Sequence, residues 1–148
     1  MSNIIKFSKV RDVKTPTTAY DSAGVDLYIP NDYGGIQLYP NRNELIPTGI
    51  KLDIPEGYWI EIKNRSSVAN KQQLVVGACV VDAGYENEVF IDLHNIGTTN
   101  RLIEPGTKIA QMVLHKLNRV ELTEVNIDDL YPVKSERGER GFGSSNNI

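Results

Sequence analysis

Apolar positions recur at every second residue in three stretches of the chain. In "GYWIEIK", Tyr58, Ile60 and Ile62 fall on one side and Trp59, Glu61 and Lys63 on the other. "VFIDLHN" sets Val89, Ile91 and Leu93 against Phe90, Asp92 and His94, and "TKIAQMVLHKL" sets Ile109, Gln111 and Val113 against Ala110, Met112 and Leu114. A repeat of two is that of a strand with one buried face. Turn-forming stretches such as "IPEG", "IEPG" and "YPNRN" punctuate the chain between apolar runs. The pattern predicts an all-β protein, a sandwich, barrel or jelly roll.

One stretch breaks the rhythm. "RSSVANKQQL" offers Ser66 or Ser67 as an N-cap ahead of helix-forming residues, which predicts one short helix. From Ser135 the composition shifts again. "SERGERGFGSSNNI" holds only Phe142 and Ile148 as sizeable apolar residues, too little to build a core. The expected division is a β domain over residues 1–134 and a tail over 135–148, either mobile or an arm that orders on something.

Composition narrows the setting. A chain of 148 residues fits one core, and 40% hydrophobic with 24% charged residues is ordinary for a soluble globular protein. A formal charge of −3 argues against a dedicated nucleic-acid binder, so a phosphate ligand would be met by locally placed Arg, Lys and backbone N–H groups. Cys79 is the single cysteine, which excludes an internal disulfide and suits a reducing compartment. "MSNIIKFSKVRDVK" has no apolar core of the kind a secretory signal needs, and no run is long enough to span a membrane. The expected location is cytoplasmic, with no membrane or stable nucleic-acid partner.

The usual catalytic sets are missing. His94 and His115 lie on different predicted strands without a spaced metal-ligand set, and no phosphate-loop or serine-elbow motif occurs. Cys79, between Ala78 and Val80, reads as a packed thiol. Four stretches each carry two readings. In "VVDAGY", Asp82 is a turn residue or a catalytic base. "RSSVAN" is an exposed helix start or an anion site built from Arg65, the Ser66 hydroxyl and free helix N–H groups. In "AGVDLY", Asp26 is a solvent-facing residue at a strand entry or a metal or ligand contact. "RGERGFG" is disordered or folds over an anionic ligand, its glycines allowing close backbone approach.

Taken in order, "AGVDLY" (23–28), "RSS" (65–67), "GACVVDAGY" (77–85), "GTKIAQMV" (106–113) and "RGERGFGSS" (137–145) resemble the five motifs of the trimeric dUTP pyrophosphatases. The resemblance covers nearly the whole chain, and its third and fifth motifs are the most specific. It implies a jelly-roll subunit with a flexible C-terminal arm, and a homotrimer with active sites shared between subunits. The implied reaction is Mg²⁺-assisted hydrolysis of dUTP to dUMP and pyrophosphate, which keeps uracil out of DNA and supplies dUMP for thymidylate synthesis. Residue by residue, it implies that Asp82 activates the attacking water, that Tyr85 lies against the deoxyribose, and that Asp26 supports the metal through water. Arg65, Ser66, Ser67 and Gln111 would face the triphosphate. Gly77, Ala78, Cys79 and Val80 would read the uracil edge. Arg137 would reach the terminal phosphates, and Phe142, with Gly143 and Ser144 beside it, would cap the base.

Four positions depart from the family pattern. Ser67, Cys79 and Asn87 stand where glycine is usual, and Gly84 where an acidic residue is common. Cys79 matters most, because it puts a side chain where the hairpin approaches the base. The related dCTP deaminases share the fold and stretches resembling "RSS" and "DAGYE". They place a catalytic glutamate ten residues after the aspartate, where this chain has Asp92. A deaminase or bifunctional enzyme, and a non-catalytic nucleotide-binding β-trimer, are the alternatives.

Overall fold

The alternating stretches fold as strands. In a computed structural model that describes residues 4–143, eleven strands follow one another among those residues. They are β1 (Lys6–Lys9), β2 (Val25–Tyr28), β3 (Ile36–Leu38), β4 (Asn43–Pro47), β5 (Ile50–Asp53) and β6 (Tyr58–Asn64). After the helix α1 (Ser66–Gln72) come β7 (Leu74–Val76), β8 (Val80–Val81), β9 (Phe90–Asn95), β10 (Arg101–Ile103) and β11 (Lys108–Lys116). The expectation of an all-β fold with one short helix holds.

Pairing is antiparallel throughout these sheets. One sheet has the order β2-β11-β6-β8 and a second β4-β9-β7, with two-stranded pairs β1-β5 and β10-β3 beside them. The inward positions of β6 and β9 are those the sequence pattern picks out: Ile60, Ile62, Ile91 and Leu93 are all buried. They join Leu27, Ile29, Ile46 and Leu74 in one apolar cluster. The polar groups buried with them are satisfied. Thr48 donates to the Val89 carbonyl at 2.7 Å, and Asn95 donates to the carbonyls of Leu38 and Thr99 at 2.8 Å each. Pairing such groups removes the desolvation penalty they would otherwise carry.

Two local expectations are corrected. Neither Ser66 nor Ser67 caps the helix: the N-cap is Arg65, extended at φ −88° and ψ 134°, with no side-chain capping bond. Both serines sit inside the first turn. On β11, Ile109 does not share the environment of Gln111 and Val113. A register shift between Lys108 and Ala110 buries Ile109 and Ala110 together, because a bulge lets two consecutive residues turn inward.

The chain divides into two units, Met1–Asn118 and Arg119–Ile148. All eleven strands belong to the first. In the second, a 3₁₀ turn spans Ile127–Asp129, and Val120, Leu122, Ile127, Tyr131 and Val133 are exposed. The boundary at Asn118 lies ahead of the composition shift at Ser135.

Candidate active site

The "GACVVDAGY" stretch crosses from one sheet to the other. β7 pairs with β9, ending at Val76 opposite Leu93, and the Gly77 N–H then donates to the Asp92 carbonyl at 2.8 Å. Two residues later the chain has joined β6: the Cys79 carbonyl accepts the Ile62 N–H at 2.7 Å, and Val80 lies opposite Glu61. Beyond β8 it reverses, with the Tyr85 N–H donating to the Asp82 carbonyl at 3.1 Å. Asp82 is therefore the first residue of a turn, which holds its carboxylate out at the surface.

A cleft of about 320 Å³ opens where the two sheets part. Ala78, Cys79, Val80, Asp82 and Tyr85 form one wall, and Leu45, Phe90 and Asp92 face them from β4 and β9. This is the size of a small-ligand site. Its lining carries two aspartates and no Lys, Arg or His. Cys79 is half-buried at the cleft instead of packed in the core.

Two networks hold the walls. The Asp92 Oδ2 atom accepts the Ala78 N–H at 3.1 Å and pairs with His94 Nε2 at 3.0 Å, while its Oδ1 accepts Asn43 Nδ2 at 3.0 Å. The bonds from His94 and Asn43 outweigh burial and hold the carboxyl down at about 2. Gly77 leaves this space open, since a Cβ there would meet Asp92 Oδ2 and His94 Nε2 and one of them would have to shift. On the opposite side, the Tyr85 hydroxyl donates to the Glu88 carbonyl at 2.7 Å. The buried Glu88 carboxylate is gripped by Arg11 Nε, at 2.8 Å and 3.0 Å to its two oxygens. Asn87, where the family pattern has glycine, accepts the Glu88 N–H through its side chain at 2.8 Å.

The cations lie elsewhere in the fold. Asp26 on β2 pairs with Arg65 Nε at 3.0 Å and Lys108 Nζ at 3.2 Å, so the solvent-facing reading of Asp26 gives way to a double ion pair. Gln111 is its register partner on β11 and donates to the Asn64 carbonyl at 2.8 Å. Gly24 leaves the room that the Gln111 side chain occupies. Lys14 and Lys108 both approach the Tyr28 ring, at 5.5 Å and 5.9 Å from its centre. Ser66 and Ser67 are exposed at the start of α1. The structure thus gathers Arg65, Lys108 and Gln111 around Asp26, and none of them lines the cleft of Asp82 and Tyr85.

For Mg²⁺, the donor set fits only indirect binding. Asp26 is one carboxylate with both oxygens engaged by cations, and no group of three or more metal-ligating side chains occurs among the described residues. Such a site suits an ion that keeps its waters and takes its remaining ligands from substrate phosphates.

In the second unit, Arg137 and Arg140 exchange guanidinium-to-carbonyl bonds at 2.8 Å and 3.0 Å, and Phe142 is fully exposed at φ 45°. Gly143 follows it, and Ser144 lies outside the described residues. Sequence reasoning missed Lys108, the Asp92–His94–Asn43 network and the Arg11–Glu88 pair. The single tryptophan, Trp59, stacks on His115 with centroids 4.5 Å apart, and Glu61 binds the His115 ring at 3.0 Å. Trp59, Val80, Asp82, Ala83 and Leu117 line a recess on the other side of the hairpin.

Comparison with known proteins gives a consistent picture. The dUTPase family model matches residues 11–146. The deoxyuridine 5′-triphosphate nucleotidohydrolase of Finegoldia magna is 38% identical over 126 residues, 82% of this chain and 83% of that one. The enzyme of the same name from Caldanaerobacter subterraneus is 36% identical over 97% of both chains. Among solved structures, a mutant Staphylococcus bacteriophage 80alpha dUTPase with dUpNHpp is 26% identical, covers 97% of this chain and 99% of that one, and superposes with a TM-score of 0.82.

Proposed function

The chain belongs to the dUTPase family and hydrolyses dUTP, and from that premise we propose how its residues share the reaction. Asp82 is the general base. It orients a water in line with the α-phosphorus and takes its proton as the oxygen attacks, giving dUMP and pyrophosphate. The observation that carries this is its place: an exposed carboxylate at a turn, lining the same cleft as Tyr85. The Tyr85 ring, tied down through its hydroxyl, lies against the deoxyribose and leaves no room for a ribose hydroxyl. Backbone groups around Gly77, Ala78, Cys79 and Val80 read the uracil edge. Arg65 and Lys108, with Gln111 and the exposed Ser66 and Ser67, meet the triphosphate. Mg²⁺, when bound with substrate and supported by Asp26 through water, supplies neutralisation of the phosphate charge. Arg137 and Phe142 close over the bound nucleotide.

Charge supports a homotrimer with shared sites. A triphosphate needs cations, and the cleft of Asp82 offers none, whereas Arg65 and Lys108 supply them at Asp26. Joining the cleft of one chain to the cluster of another supplies both. Asp92 weighs against the deaminase alternative. Both its oxygens are committed to hydrogen bonds, and a carboxyl held at about 2 is a poor proton shuttle near neutrality.

The direct test offers each deoxynucleoside triphosphate and UTP with Mg²⁺ and assays pyrophosphate and ammonia separately. Pyrophosphate should appear from dUTP far faster than from dCTP, dTTP or UTP; ammonia from dCTP at a comparable rate would promote the deaminase. Sharing is tested by mixing two inactive variants, Asp82→Ala and a chain ending at Lys134, unfolded together in equal amounts and refolded. If hairpin and arm come from different subunits, random assembly restores about one half times one half, or roughly a quarter, of the sites. No recovery would mean that each chain supplies both to one site.

A further inference from the structure

We propose that Asp92 is a positioning residue for nucleotide binding: its carboxylate, braced by Asn43 and His94, pins the Ala78 amide and sets the width of the cleft. The inference rests on the cleft being the nucleoside site.

Along residues 74–81 the chain changes its bonding partner. As far as Val76 the chain is laddered to β9, and Gly77 adds one more bond to the Asp92 carbonyl. At Cys79 it is already bonded to β6. Between these points the ladder on β9 has ended and that on β6 has not begun. An Ala78 N–H left without a partner at this crossing would be costly, or would draw the strand back toward β9 and close the cleft. The Asp92 side chain takes that bond at 3.1 Å. A carboxylate reaches farther than a backbone carbonyl, so the strand is held and yet kept off β9.

The brace explains why the pin does not swing. Of the carboxylate's bonds, one comes from Asn43 on β4, directly opposite His94 in the register, and one from His94 on β9 itself. Its own strand and the neighbouring β4 therefore fix its orientation. The depressed pKa agrees, since all three donors favour the ionised form. Gly77 completes the arrangement, because a Cβ there would press on the Asp92 and His94 side chains. Asp92 also lines the cleft, so a change in its position is felt directly by whatever the cleft holds.

A positioning role predicts a split that general destabilisation does not. Affinity should be measured by inhibition with two probes, dUMP for the cleft and inorganic tripolyphosphate with Mg²⁺ for the cation cluster. In Asp92→Ala the KM for dUTP and the inhibition constant of dUMP should each rise by about tenfold, the loss falling chiefly on KM, while tripolyphosphate inhibition stays within about twofold. Equal weakening of both probes, or unchanged dUMP and dUTP values in the folded variant, overturns the proposal. If Asp92→Ala does not fold, Asn43→Ala and His94→Ala serve instead, each removing one brace. They should show the same split at about threefold, and a uniform loss or none overturns it. The wild-type arm separates the two levels: failure of the wild type to turn over dUTP sinks the functional reading, whereas a wild type that works beside a variant without the split sinks only the role of Asp92.

Discussion

The cleft beside Asp82 and the cluster around Asp26 are built on opposite principles. The cleft is walled by apolar side chains and backbone, and its charges are two carboxylates. The cluster sets Arg65 and Lys108 around a single carboxylate and leaves an excess of positive charge. The first suits a flat, uncharged base and sugar that must be recognised by shape and by hydrogen-bonded edges. The second suits phosphates, for which charge matters more than fit. On the reading proposed above one substrate demands both, and recognition and charge neutralisation then fall to separate parts of the fold. Their rigidity differs as well. The cleft is pinned by buried or braced bonds, while the Lys108 side chain is about two-fifths exposed and free to shift partners when an anion arrives.

The comparison breaks most visibly at Asp82. Asp82→Asn keeps the shape and removes the proposed base, so turnover should fall by about 10²-fold or more while KM for dUTP stays nearly unchanged. A variant that loses binding yet keeps its turnover per bound substrate would make Asp82 a turn residue only.

Acid should then separate the regions through Asp92. Its folded pKa lies below the unfolded carboxyl value near 4, so its contribution to stability is present above that value and fades as pH falls toward about 2. The shift corresponds to roughly 2 kcal/mol. Chemical denaturation at pH 5 and pH 2 should show the wild type losing about that much more than Asp92→Asn. Equal losses would mean that the clamp carries no ionic stabilisation.

A smaller effect is expected at Arg65. Arg65→Met should raise KM for dUTP and weaken tripolyphosphate inhibition by about tenfold, with dUMP affected less, the mirror of the Asp92 split. Loss confined to dUMP would reverse the assignment of the two regions.

Much of this was legible in the chain, and the reason is periodicity. Ile60, Ile62, Ile91 and Leu93 declare their buried face because strand side chains alternate, whatever the strand's neighbours are. The motif residues Asp82, Tyr85, Asp26, Arg65 and Gln111 were likewise readable, and the structure brings them into two groups. What stayed hidden depends on which strand lies beside which. Asp92 looked like the polar face of an ordinary strand, because the Ala78 amide it binds and Asn43 come from other strands. Arg11 and Glu88 lie 77 residues apart, and no local pattern announces such a pair. The helix cap failed for a related reason. Serine is the better capping residue by propensity, yet the pull of Asp26 on Arg65 accompanies an extended Arg65 and a helix that begins one residue early.

The Trp59–His115 stack gives the protein an optical probe of its own. As the sole tryptophan, Trp59 accounts for the indole emission, and its recess shares Asp82 and Ala83 with the turn that closes the cleft. A nucleotide that moves the turn changes the polarity around the indole. Its fluorescence therefore gives a label-free readout of any movement of that turn.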